Sequence, residues 1–209
     1  MPRAVLIGDS HSTVTNNFLK EKLEQDGYMV PLTLQNVGWS IHSYLSRDVL
    51  NQVREARPDT VVVKLGGNNY ILNAQKYKEK MDLFLQEIGY PKTKVVWIGP
   101  YYSDESRAPE TAAKHDWTRA WMKSNFPKDI TFVDSYDYSK TGHSNDGVHF
   151  TRSSYRRMID EMYPQILAGM KKGINPLLLV FGLSLASVAV ILRWSARRKN
   201  DTARRIGKV

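Results

Sequence analysis

The stretch Ala4-Val5-Leu6-Ile7-Gly8-Asp9-Ser10-His11-Ser12 reads as a short buried strand running into a polar turn. Four consecutive apolar residues are too few for a helix and a glycine ends them, so Ser10 stands just past the strand's carboxyl end. A second segment repeats the plan: Thr60-Val61-Val62-Val63-Lys64-Leu65, then Gly66-Gly67-Asn68-Asn69, with Asn68 at the equivalent position. Ligands bind at that edge of an open parallel sheet, so the two turns face one crevice if their strands are neighbours.

The chain between and beyond these turns alternates helix and strand. Val14, Phe18, Leu19 and Leu23 recur at helical spacing in Thr13 to Gln25, with Asp26-Gly27 as a C-cap. Tyr28 to Asn36 is strand-like, and Pro31 suits an edge strand. Ser40 to Ala56 carries Ile41, Tyr44, Leu45, Val49, Leu50 and Val53 on one face, predicting an amphipathic helix ended by Pro58. Strands Lys94 to Ile98 and Ile130 to Val133 alternate with helices from about Ala74 to Ile88, Pro109 to Ser124 and Ser153 to Lys171. Five strands separated by helices predict a parallel sheet covered on both faces, a flavodoxin-like three-layer α/β/α sandwich. Strand order 2-1-3-4-5 would set strands one and three side by side, with Ser10 and Asn68 on one crevice.

The chain has 209 residues, 42% of them apolar, which is ample for one domain with a core of ordinary size. It has no cysteine, which excludes disulfides, thiolate metal sites and a thiol nucleophile. The net charge of +9 belongs mostly to one end: from Lys171 onward there are nine basic residues and one acidic residue. The nearly neutral remainder argues against a nucleic-acid surface on the folded part, leaving the basic tail as the segment that could meet nucleic acid or anionic lipid. Between domain and tail lies Ile174 to Leu192, INPLLLVFGLSLASVAVIL, without a charge. At about 1.5 Å per residue it is long enough as a helix to cross a bilayer, and Lys171, Lys172, Arg193, Trp194, Arg197, Arg198 and Lys199 flank it as interfacial anchors. The expected organisation is a domain over residues 1–172, a transmembrane helix over 173–194 and a basic tail over 195–209, a single-pass membrane protein. Pro2 and Arg3 lead straight into a strand, which does not read as a signal peptide. Three placements fit: outside the cell by the positive-inside rule, in the cytoplasm as a tail-anchored protein, or in a virion membrane with the tail facing the genome.

A third polar segment, Asp146-Gly147-Val148-His149-Phe150, supplies what the first two lack. A serine, a histidine with a carboxylate three residues before it, and an asparagine able to donate to an oxyanion are the parts of acyl-transfer hydrolysis. Asp134, ending the fifth strand, is a competing acid, and Asp9 reads as a turn former. His11, His42, His115 and His143 lack ligand-like spacing, so no metal and no cofactor are expected. Trp39, Tyr70, Tyr101 and Tyr102 fall in loops at the same edge, as pocket lining or as core.

These segments resemble the SGNH hydrolases, the GDSL esterase and lipase family, over residues 4–170. Ser10 of GDSHS matches the nucleophile block, Gly38 of Asn36-Val37-Gly38-Trp39 the glycine block, Asn68 of GGNN the asparagine block, and Asp146 with His149 the last block. The family's Gly-x-Asn-Asp reads Gly-Gly-Asn-Asn here, with Asn69 in place of the aspartate. The resemblance implies Ser10, Asp146 and His149 as catalytic residues, and the Ser10 N–H, Gly38 N–H and Asn68 amide as the oxyanion hole. It implies a serine esterase acting on carboxylic esters, which the segment Ile174 to Leu192 would anchor to a membrane; the acyl groups are read here as short, acetyl, on carbohydrate. A lipase or lysophospholipase working at the membrane, and an inactive scaffold serving as a membrane or virion component, stay open beside it.

Overall fold

The computed structural model describes residues 1–47, 49–68 and 73–172. Met1–Met170 forms one compact unit. Its elements are β1 (Arg3–Gly8), α1 (Ser12–Gln25), β2 (Met29–Gln35), α2 (Ile41–Ser46), α3 (Asn51–Ala56), β3 (Thr60–Lys64), α4 (Ala74–Glu87), β4 (Lys94–Ile98), α5 (Pro109–Asn125), β5 (Thr131–Val133) and α6 (Arg152–Lys171). The five strands make one parallel sheet in the order β2-β1-β3-β4-β5.

Alternation along the buried strands divides the core in two. Ala4, Leu6, Val62, Val96, Ile98 and Val133 point to one face, where Phe18, Leu19 and Leu23 of α1 and Met158, Ile159, Met162 and Ile166 of α6 cover them. Val5, Ile7, Val61, Val63, Val95 and Trp97 point to the other, packed by α2, α3, α4 and α5 through Tyr44, Val53, Phe84 and Trp121. Each fully buried aliphatic side chain contributes roughly 1.5–3 kcal/mol, and both faces are sealed, as parallel strands require. β2 is an edge strand; its register with β1 slips between Arg3 and Val5, opposite the stretch containing Pro31, which has no N–H to donate.

The predicted helix over Ser40 to Ala56 is two short ones. The chain leaves α2 at Arg47 and re-enters helix at Asn51, and α3 stops at Arg57, whose φ is 46°. Ser46 and Asn51 bond readily to nearby backbone, and such residues favour helix ends over helix interiors. Ser40 opens α2 with a reciprocal capping box shared with Ser43. The segment Ile174–Leu192 and the basic tail lie outside the described residues, as do Asn69 and Tyr70. No described helix is long and apolar enough to cross a membrane.

Two histidines are sealed inside, His11 beside α1 and His115 in α5. Nδ1 of His115 donates to the Tyr101 carbonyl at 2.8 Å. Burial, then the nearby Lys64 charge, lowers its pKa to about 4. The unfolded chain takes that proton near pH 6.5 and the folded one does not until about 4, so folding stability is complete above about 6.5 and falls as the pH drops between the two values. Urea unfolding is expected to give a free energy lower by on the order of 1–3 kcal/mol at about pH 4.5 than at about pH 7.5, with a smaller drop in His115→Gln. Equal drops in the two proteins would contradict this assignment.

Candidate active site

The crevice opens where the sheet changes direction. From β1 the chain goes out to β2 and then returns to add β3 on the other side, so the loops after β1 and β3 leave neighbouring strand ends toward opposite faces. Ser10 sits in the turn between β1 and α1, and Asn68 in the turn after β3. Backbone bonds lace the two ends together: Asp9 N–H donates to the Lys64 carbonyl at 3.3 Å, and Asn36 N–H to the Gly8 carbonyl at 3.3 Å. The Tyr44 hydroxyl also donates to Gly8, at 2.6 Å, fixing the strand end two residues before Ser10.

Ser10 Oγ lies 3.0 Å from His149 Nε2, and His149 Nδ1 lies 2.6 Å from Asp146 Oδ2. The other carboxylate oxygen of Asp146 accepts the N–H groups of Val148 and His149, both at 2.9 Å, and lies 2.9 Å from the Ser144 hydroxyl. Partial burial would raise the Asp146 pKa, but the His149 bond, the two backbone donors and Ser144 outweigh it and hold the carboxyl well below its ordinary range. An ionised carboxylate only accepts, so His149 carries its proton on Nδ1 and presents a bare Nε2 to the Ser10 hydroxyl. This is the protonation pattern that a general base needs.

The three-residue spacing works because the loop closes on itself. Gly147 has φ 71°, and a Cβ there would stand 2.7 Å from Cβ of Arg107. Arg107 in turn bonds the Ser144 carbonyl at 3.0 Å and pairs with Asp104, whose N–H donates to the Gly147 carbonyl at 2.8 Å. His143 and Phe150 form an antiparallel bridge across the loop's base. Asp134, the rival acid, is elsewhere engaged: Arg119 holds both its oxygens at 2.7 Å and Lys123 adds a contact at 3.0 Å. The structure therefore joins His149 to Asp146 and not to Asp134.

Gly38 lies in a turn closed by Trp39 N–H to the Asn36 carbonyl at 3.3 Å. Its φ of 72° is the left-handed value that the third position of a type II turn requires. Asn68 Nδ2 donates to the Trp39 carbonyl at 3.2 Å, which ties the β3 turn to the Gly38 turn. Among the described residues, the N–H groups of Ser10 and Gly38 have no protein acceptor. These three donors stand on the loops after β1, β2 and β3, at one edge of the sheet.

Beneath the serine lies a buried polar layer that spacing did not reveal. Asp9 accepts the His11 N–H at 3.1 Å, as a turn former does, and also faces Lys64 Nζ at 3.4 Å, both side chains fully buried. Lys64 Nζ lies 4.4 Å from the centre of the Tyr101 ring. Burial pushes the Lys64 ammonium downward and Asp9 opposes it. Ser144, Arg107 and Lys64 had weak sequence signals at most; a single charge inside Thr60-Val61-Val62-Val63-Lys64-Leu65 was the clearest. Of the loop aromatics, Tyr101 is core, and Trp39 and Tyr102 are half-buried. Among the described residues, no group of His and acidic side chains could hold a metal ion.

No protein-family model and no curated protein matches the sequence. Solved structures do match. A carbohydrate esterase family 3 protein from Talaromyces cellulolyticus superposes with a TM-score of 0.63 at 17% identity, over 82% of this chain and 99% of that one. A lipase/acylhydrolase from Enterococcus faecalis gives 0.59 at 20% identity, over 82% and 96%. A GDSL-like lipase from Bacteroides thetaiotaomicron gives 0.54 at 18% identity, over 82% and 89%. At these identities the likeness is one of fold: the chain has the three-layer fold of these lipases and esterases.

Proposed function

We propose that this protein is a serine esterase of the SGNH type. The observation that carries the reading is the continuous relay from Ser10 Oγ through His149 to Asp146, at 3.0 and 2.6 Å. In this reading Ser10 Oγ attacks the ester carbonyl carbon while His149 Nε2 takes its proton. Asp146 stabilises the imidazolium, and the Ser10 N–H, Gly38 N–H and Asn68 amide stabilise the oxyanion. Collapse of the tetrahedral adduct breaks the bond to the alcohol, which leaves with the proton from His149. Water, activated by the same histidine, then frees the acid and restores Ser10.

The acyl group is short and the alcohol a carbohydrate, a reading supported by the carbohydrate esterase of the same fold. The uncharged segment Ile174–Leu192 anchors the domain to a bilayer, a reading supported by its length, its lack of charge and its flanking cations.

Hydrolysis of p-nitrophenyl esters tests the chemistry. Acetate is expected to be cleaved faster than octanoate; kcat/KM falls by on the order of 10⁴-fold in Ser10→Ala and in Asp146→Asn, and by about 10²-fold in Asn68→Ala. Undiminished activity in Ser10→Ala would refute the reading, and a preference for octanoate would turn it toward a lipase. For the anchor, the full chain expressed in cells should stay with membranes through alkaline carbonate extraction, whereas a chain ending at Lys172 should be released. Release of both would refute the anchor.

A further inference from the structure

We propose that His11 is a positioning residue for His149: its ring, pinned by Tyr155, is the wall against which the relay imidazole is held in line with Ser10. The inference rests on the esterase reading above. His11 follows Ser10 directly, yet its side chain turns inward and is buried. Its ring centre lies 4.9 Å from that of His149, with the planes 33° apart, so the two imidazoles are stacked with a tilt. His149 is otherwise open, with 42% of its side chain exposed, and His11 covers an inner side. Without such a wall, a half-exposed imidazole held at Nδ1 by Asp146 could swing about that bond and give up its contact with Ser10.

The wall is itself held firmly. His11 Nδ1 lies 2.8 Å from the Tyr155 hydroxyl in α6. The Tyr155 ring also meets that of Phe150, with centres 5.5 Å apart. Phe150 is the residue after His149, so one tyrosine, bonded to His11 and packed on Phe150, registers His11 with the segment that carries the base. Tyr101 meets the His11 ring edge-on at 5.1 Å, and Phe150 and Tyr155 approach at 6.0 Å.

The charge state suits the task. Burial first, then Lys64 from β3 and the neighbouring His149, His115 and His143, disfavour protonation of His11. The negative group in the layer, Asp9, engages the His11 backbone N–H and Lys64. A neutral ring turns a π face toward the imidazolium that forms on His149 as Ser10 gives up its proton; a charged one would repel it. A residue that merely filled space would leave kcat unaffected by loss of the ring face.

Steady-state kinetics on p-nitrophenyl acetate and a crystal structure of His11→Ala test the proposal. In His11→Ala we expect kcat lower by about ten-fold or more with KM within about two-fold, and in the crystal a His149 ring withdrawn from Ser10 Oγ. His11→Phe keeps the ring face and is expected to recover at least about a third of wild-type kcat, while Tyr155→Phe lowers kcat by about three-fold. A folded His11→Ala with wild-type kcat, or a His11→Phe as slow as His11→Ala, overturns the proposal. If His11→Ala does not fold, Tyr155→Phe decides, and an unchanged kcat overturns it. Failure of the wild type to cleave any ester would sink the esterase reading instead, and the His11→Ala crystal would still decide this one: His149 unmoved against Ser10 overturns it.

Discussion

The hydrogen bond between His149 Nδ1 and Asp146 is the contact on which the rest of the site depends. It decides which ring nitrogen is bare, and so whether Ser10 faces an acceptor or a second donor. The loop that carries it spends most of its polar groups on keeping that carboxylate ionised: two backbone N–H groups and the Ser144 hydroxyl converge on one oxygen of Asp146. A carboxylate stabilised in this way has little tendency to take the imidazole's proton. In the proposed reaction it would orient and stabilise the base without competing for the proton that goes to the leaving alcohol.

The sheet supplies the other constraint. Parallel strands in the order β2-β1-β3-β4-β5 bring the turns after β1, β2 and β3 to one edge, and with them a hydroxyl, a glycine N–H in a left-handed turn and a carboxamide. Beneath that edge the interior is not purely apolar. Lys64 and Asp9 are buried together, and an isolated charge at either place would cost several kcal/mol, so each requires the other. Burial first, and then the lysine's positive charge, disfavours protonation of His11 and His115. The polar layer thus adds to burial in disfavouring a charge on the ring that lies against His149.

Much of this was legible in the sequence, for physical reasons. Continuous apolar runs such as Ala4 to Ile7 and Thr60 to Val63 have one economical fate, a strand covered on both faces, and alternation with helices then leaves few topologies. Ser10, Gly38, Asn68, Asp146 and His149 stood in short polar segments at strand ends or turns, where they could be singled out as candidates without coordinates. Long-range pairings were hidden. Asp134 stands as a competitor to Asp146 for the acid until Arg119 and Lys123 are seen to claim it. Hydrophobic periodicity ran unbroken through Ser40 to Ala56 while the backbone broke at Arg47, because the same face stays buried whether one helix or two present it. The stacking of His11 on His149 joins residues 138 positions apart, which no local pattern encodes.

The central claim is that Ser10 is an activated nucleophile, and covalent capture tests it most directly. Incubation of the intact chain with a fluorophosphonate, followed by peptide mass spectrometry, should find one equivalent of phosphonate on Ser10, with labelling abolished in His149→Ala. A chain that stays unlabelled, or that carries the phosphonate on a different residue, would contradict the account.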